Sequence, residues 1–242
     1  MQNYKIVLSY DGTGFSGWQR QPERRTIQGE LESALTKLAG KNVNVFGAGR
    51  TDAGVHALGQ TANFKAALRL GDAELFKALN AVLPETIRIG TLERVGPEFQ
   101  ARRDAKSKIY RYRIWNAPQV GPFDVRYVLP WPNPLNVRRM REAAKIFVRK
   151  GDFSAFSSNR ERDPVRTVSR SDIRTKGPEI IYTIQAAGFL RYMVRTIVGT
   201  LLEVGRGRLA ADEIEELFAG GKRTLRSPTA PAKGLCLVRV EY

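Results

Sequence analysis

The chain has 242 residues, 42% of them hydrophobic, enough for one large domain or two small ones with a sizeable core. Forty Lys and Arg against 24 Asp and Glu give a formal charge of +16, which favours a polyanionic partner. One cysteine, Cys236, rules out an internal disulfide, and with one histidine, His56, it rules out a Cys/His zinc set. No apolar run reaches the ~20 residues of a membrane span, so no membrane partner is expected.

The amino terminus, MQNYKIVLSYDG, has no charged segment followed by an apolar one, as a secretory signal would. It reads as a first strand over Lys5–Tyr10 of a cytoplasmic protein, broken by Asp11-Gly12, Gly14 and Gly17. Trp18 follows in a loop with Arg20, Arg24 and Arg25, and reads as packing rather than as a base-stacking platform. Thr26 is a helix N-cap, Ile27, Leu31, Leu35 and Leu38 make an apolar stripe, and Gly40 ends the helix.

Next comes FGAGRTDAGVHALGQ, Phe46 to Gln60. A short strand through Val43, Val45 and Phe46 delivers the chain into a loop in which Gly47, Gly49, Gly54 and Gly59 surround one carboxylate, Asp52, with Arg50 before it and His56 after it. A second helix starts at Asp72 and uses Leu75, Phe76 and Leu79, with Pro84 at its exit, and Ile87–Val95 reads as a strand. Gln100–Tyr112 is the densest mixture of cations and aromatics. In strand alternation Tyr110, Tyr112 and Ile114 share one face, and Arg111 and Arg113 share the other. That pattern suits a core face backed by solvated arginines as well as it suits an aromatic beside a phosphate-binding row.

Four prolines between Asn116 and Asn133 divide the chain, so the expected halves are residues 1–115, carrying the Asp52 loop, and residues 116–242. In the second half a helix is expected over Asn136–Lys150, then a polar loop over Ser157–Arg162 and strands over Val165–Thr175 and Glu179–Ala187. A strongly apolar helix opens at Gly188 with Phe189, Met193, Ile197, Leu201 and Val204 inward, and its periodicity places Arg195 at the surface. An acidic helix (Asp212–Phe218), a basic linker and the apolar run Gly234–Val238 close the chain. The expected fold class is α+β: two similar halves sharing a central mixed, mainly antiparallel sheet, with helices packed on it and a basic cleft between the halves.

The loop chemistry is narrowed by exclusion. A dinucleotide fingerprint would need glycine where Asp52 stands, no P-loop Lys-Ser pair occurs, and no GxSxG elbow accompanies His56. A glycosidase would need a second carboxyl group, for which spacing leaves Asp104 or Asp152 open. Asp52 therefore reads either as a nucleophile kept ionised beside a guanidinium or as half of an Arg50–Asp52 salt bridge that pins a turn.

GRTDAGVHALGQ, with SYDGTGFSGWQRQ upstream and KIYRYRI, GFLRYMVRTIVG and AKGLCLVRV downstream, closely resembles the tRNA pseudouridine synthase A family (TruA-type), in order along the whole chain. The resemblance implies isomerisation of uridine to pseudouridine at positions 38, 39 and 40 of the tRNA anticodon stem-loop, without cofactor or metal, by a homodimer that grips one tRNA. It makes Asp52 the catalytic aspartate that attacks a flipped-out uridine. Arg50 would help hold the nucleotide's site open, Tyr110 would stack on the base and assist proton removal, Arg195 would pair with the aspartate, and Leu235 would line the pocket. His56 is expected to fix the loop by a hydrogen bond rather than to act as a base. One departure is Lys150-Gly151-Asp152-Phe153, where relatives often carry histidine before the Asp-Phe pair. The alternatives are a non-catalytic RNA-binding protein and an aspartate-dependent nucleic-acid glycosidase.

Overall fold

The computed structural model describes residues 1–158, 162–220 and 227–242. Two of the expected segments fall partly outside that set: the polar loop at 159–161 and the basic linker at 221–226. The fold is α+β, with ten strands, mixed and mostly antiparallel, and five α-helices among the described residues. None of those helices is long and apolar enough to cross a membrane. The chain divides into two compact units, residues 1–106 with 236–242, and residues 107–235.

In the first unit, β1 (Gln2–Tyr10) lies between β4 (Ile87–Val95) and β3 (His56–Ala66), antiparallel to both. β2 (Val45–Gly47) pairs antiparallel with β3, and β10 (Leu235–Glu241) runs parallel to it. Alternation sends Tyr4, Ile6, Leu8 and Tyr10 of β1 inward. Helix α1 (Ile27–Ala39) begins as expected, with the Thr26 hydroxyl accepting the Gly29 N–H at 3.2 Å. It ends at Gly40, which takes the left-handed conformation that glycine adopts without strain. Its stripe Ile27, Leu31 and Leu35 is fully buried. Helix α2 (Asp72–Val82) buries Leu75 and Leu79.

The α1 surface also holds a buried carboxylate that apolar periodicity does not reveal. Glu32 accepts the backbone N–H of Val45 at 3.0 Å and an amide hydrogen from Gln28 at 3.0 Å, and its other oxygen lies 2.9 Å from the Arg20 guanidinium. Charge-assisted bonds of this kind compensate burial of the charge, and they fix β2, the strand that enters the Asp52 loop.

In the second unit, β5 (Ser107–Trp115) pairs with β9 (Glu179–Ala186), β9 with β8 (Val165–Lys176) and β8 with β7 (Lys150–Asp152), all antiparallel, while β6 (Leu129–Pro130) runs parallel to β5. The β8–β9 hairpin turns through Gly177 and Pro178, with Gly177 at φ +56°. Helix α3 (Val137–Ile146) is shorter than expected: Phe147 closes it, and Lys150–Asp152 pairs as β7 instead of continuing the helix. Phe147 joins Phe153, Phe156 and Phe218 in a cluster of edge-on and tilted rings, and this docks α5 (Ala211–Gly220).

Helix α4 (Met193–Gly205) starts five residues later than its apolar periodicity suggests. Tyr192 sits at φ +62°, in the left-handed region, and stops the helix from extending back through Phe189. Eleven of its thirteen residues are buried, so it is surrounded by protein rather than half-solvated.

Candidate active site

β2 ends at Gly47 and β3 begins at His56, so Asp52 lies in the connection between them. The start of this loop is tied to β3 twice: the Ala48 N–H donates to the Thr61 carbonyl at 2.8 Å, and the buried Gln60 amide donates to the Gly49 carbonyl at 3.0 Å. The residue before the carboxylate is clamped twice. The Thr51 carbonyl accepts the Trp18 N–H at 3.0 Å, and the Thr51 hydroxyl is 2.8 Å from the Tyr10 hydroxyl. Burial pushes the Tyr10 phenol well up, against the opposing effect of its bonds to Thr51 and Gln60, so it stays neutral beside the loop. After Asp52 the chain turns, with the Val55 N–H on the Asp52 carbonyl at 3.1 Å and Gly54 at φ +75°. Asp52 is half-buried on a backbone held from both sides.

The clamp comes from the first turn of the chain. A Cβ on Gly12 would fall 2.1 Å from the Val55 carbonyl oxygen, and one on Gly17 would fall 2.7 Å from that of Thr51. Those glycines let the 11–18 segment lie directly against the Asp52 loop. The glycines bracketing the loop have a similar use. Gly47 leaves room for the Trp18 indole, 2.5 Å from where a Cβ would sit, and Gly59 leaves room for the Val238 carbonyl at 2.6 Å. These contacts are made by protein, and Trp18, 2% exposed, packs as expected.

His56 makes a hydrogen bond of the kind expected of it. It is buried, and its Nδ1 accepts the Gly12 N–H at 3.1 Å, with Asp11 Oδ1 also 3.1 Å from that nitrogen. Arg50 is exposed and makes no ion pair or hydrogen bond among the described residues. Among the described residues no Arg50–Asp52 salt bridge pins the turn; the bonds from Trp18, Tyr10 and Gln60 hold the loop.

The remaining expected site residues belong to the second unit. Tyr110, on β5, is 7% exposed and packs edge-on against Phe189, ring centres 5.1 Å apart. Apolar periodicity had given Phe189 to a helical core stripe; it stands half-buried ahead of α4 as the ring partner of Tyr110. Tyr112 is structural, fully buried with its hydroxyl donating to the Pro231 carbonyl at 2.8 Å. On the opposite face Arg113 is half-buried and ion-paired with Glu179 and, at 3.1 Å, with Asp124, rather than a free solvated cation.

Arg195 is half-buried rather than a surface residue. Its guanidinium carbon lies 4.7 Å from the Tyr192 ring centre, and its Nε donates to the Ala230 carbonyl at 2.8 Å. Leu235 is buried just after Gly234, whose missing side chain makes room for the Tyr112 ring 2.6 Å away. Among the described residues no group of three or more His, Cys, Asp and Glu could hold a metal ion.

A family model described as tRNA pseudouridine synthase matches residues 6–104 and 143–242. A tRNA pseudouridine synthase A of Methylacidiphilum infernorum is 44% identical over 242 residues, covering 99% of this chain and 95% of that protein. The enzyme of the same name from Geobacillus kaustophilus is 42% identical over 244 residues, covering 100% of this chain and 95% of its own. That from Thermodesulfovibrio yellowstonii is 41% identical over 254 residues, covering both chains entirely. With matches of this extent on both sides of the Asp52 loop and through α4 and β10, the chain belongs to the tRNA pseudouridine synthase family.

Proposed function

We propose that this protein isomerises uridine to pseudouridine at positions 38, 39 and 40 of the tRNA anticodon stem-loop, with Asp52 as nucleophile. The observation that carries the reading is the clamped loop: one half-buried carboxylate whose flanking backbone is fixed by Trp18, Tyr10, Phe15 and Gln60. Catalysis gains when the attacking atom is held in place before substrate arrives, and the bonds to the backbone around Asp52 support that reading.

In the reaction the target uridine leaves its stack, at a cost of a few kcal/mol. The Asp52 carboxylate bonds to the uracil ring or to the ribose carbon while the N1–C1′ bond breaks. The base rotates, C5 bonds to C1′, the C5 proton departs, N1 takes a proton, and the Asp52 bond is released. Atoms balance without a redox partner, so no cofactor is needed. Tyr110, held by Phe189, stacks on the base and assists removal of the C5 proton. Arg195 keeps Asp52 ionised by its positive charge, Arg50 contacts the phosphate backbone, and Leu235 excludes water from the base. The same reading includes a cytoplasmic homodimer acting on tRNA, and the charge of +16 supports the polyanionic substrate.

The test uses tRNA tritiated at uracil C5. Wild-type protein should release tritium while the base stays attached to the RNA, and Asp52→Asn should lower the rate by at least ~10³-fold. Release of free uracil, or an undiminished rate in Asp52→Asn, would overturn the assignment.

A further inference from the structure

Phe46 is 60% exposed although it lies in a strand. Its neighbours are turned inward: Val45 is 1% exposed, and the Gly47 Cβ direction ends on Trp18. Strand alternation therefore directs Phe46 to the other face of β2. It is opposite Asn63 of β3, so it shares that face with Asn63 and, one pleat further along, Lys65. Asn63 is buried, and its Oδ1 accepts the Ala101 N–H at 2.9 Å, which sets the backbone just before Arg102 beside Asn63.

The cations here differ from those around them. Lys5 is paired with Glu93, Arg94 with Asp72 and Arg103 with Asp104. Lys65 and Arg102 are exposed and make no ion pair or hydrogen bond among the described residues. The fold thus presents an exposed aromatic ring on a strand fixed by Glu32 and six residues before Asp52, with an uncommitted cation, Lys65, two residues along β3 from the residue opposite it and a second, Arg102, next to Ala101.

We infer that Phe46, Lys65 and Arg102 form a docking patch for an unpaired tRNA nucleotide next to the one that reacts, the base stacking on Phe46 and its phosphates lying on Lys65 and Arg102. This rests on the proposed function, which supplies the RNA, and extends it to a second nucleotide. When one base is extruded its neighbour loses a stacking partner. An aromatic ring with cations on neighbouring segments replaces that partner without demanding a particular base. An isolated exposed phenylalanine would be unremarkable on any surface; the uncommitted charge of Lys65 and Arg102 on the neighbouring segments is what selects a polyanion.

The experiment compares wild type with Phe46→Ala, Phe46→Trp, Lys65→Ala and Arg102→Ala, measuring tRNA Kd from low to physiological salt and single-turnover tritium release. Phe46→Ala should weaken binding about tenfold with an unchanged salt slope, and Phe46→Trp should restore it. Lys65→Ala and Arg102→Ala should each reduce the slope of log K against log salt by about 0.7–0.9. Wild-type Kd in Phe46→Ala would overturn the patch, and so would a change in sedimentation of Phe46→Ala with RNA binding intact, since that marks a protein contact. The wild-type arm keeps the two proposals apart. No tritium release by wild type would defeat the isomerase reading, whereas normal release with an unaltered Kd series would defeat only the patch.

Discussion

Arg195 and Ala230 hold each other through two hydrogen bonds running in opposite directions: the Ala230 N–H donates to the Arg195 carbonyl at 3.0 Å, and Arg195 Nε donates to the Ala230 carbonyl at 2.8 Å. The arginine therefore fixes its own side chain by the same residue that fixes its backbone. Lysine would keep the charge but lacks the Nε–H and the planar fork. Arg195→Lys should lower stability by about 1 kcal/mol, the net worth of one hydrogen bond. If Arg195 also serves Asp52, kcat should fall at least ~10²-fold. A urea titration and a single-turnover rate measure the two separately, and a rate loss no larger than the stability loss predicts would reduce Arg195 to a structural role.

The glycine spacing makes a prediction about stability alone. Gly47→Ala places a methyl group 2.5 Å from the Trp18 ring, at a residue only 2% exposed. Overpacking of this kind costs about 1–3 kcal/mol. The urea midpoint should fall accordingly, and Trp18→Phe, which shortens the ring, should recover part of the loss in the double variant. Wild-type stability in Gly47→Ala would show that the indole moves freely.

The parts of this fold legible in the sequence are those specified locally. Helix α1 is bracketed by Thr26 and Gly40, and both caps act within four residues of their partners. The Asp52 loop is visible for the same reason, since its glycines are dense and close to the carboxylate. Glu32 was not legible: a glutamate on a helix reads as solvated, and its partner, the Val45 N–H, is thirteen residues away. The clamp on Thr51 reaches it from Tyr10, forty-one residues earlier, and the bond to His56 comes from Gly12, forty-four residues earlier. The start of α4 was misplaced because Phe189 continues the apolar period, while its actual partner is Tyr110 on β5. Arg195 looked like a surface residue because the periodicity of a helix buried on nearly all sides has no polar face to mark.

Arg50 is the converse of Arg195. It is exposed and bonded to nothing among the described residues, so folding gains nothing from it. Arg50→Ala should leave the urea midpoint within ±0.5 kcal/mol of wild type. Its tRNA affinity should drop, with the salt slope reduced by about one phosphate contact. Calorimetry and filter binding across a salt series provide the comparison, and an unchanged slope would remove Arg50 from the RNA-binding set.

The alkaline limit of the first unit should depend on Tyr242. Its hydroxyl donates to the Ala101 carbonyl at 2.8 Å, and its ring lies 5.3 Å from that of Phe99. Burial, the largest cause, and the Asp104 charge push its phenol up to about 12, against a lowering by Thr61. An unfolded tyrosine titrates near ~10. The folded group therefore keeps its proton where the unfolded one has lost it, and stability must fall as pH rises through that interval. The contribution is fully present below about 10 and lost by about 12. Replacing Tyr242 by Phe removes both the hydrogen bond and the titration. The Tm gap between wild type and Tyr242→Phe should be constant up to about pH 9 and shrink between about 10 and 12, while Tyr10, Tyr112 and Tyr182, also pushed up by burial, affect both proteins alike. A gap that stays constant across the interval would mean that the Tyr242 phenol is not perturbed in the folded protein. Because Tyr242 holds Ala101, the residue before Arg102, the same substitution should also weaken tRNA binding at neutral pH, by less than Arg102→Ala does.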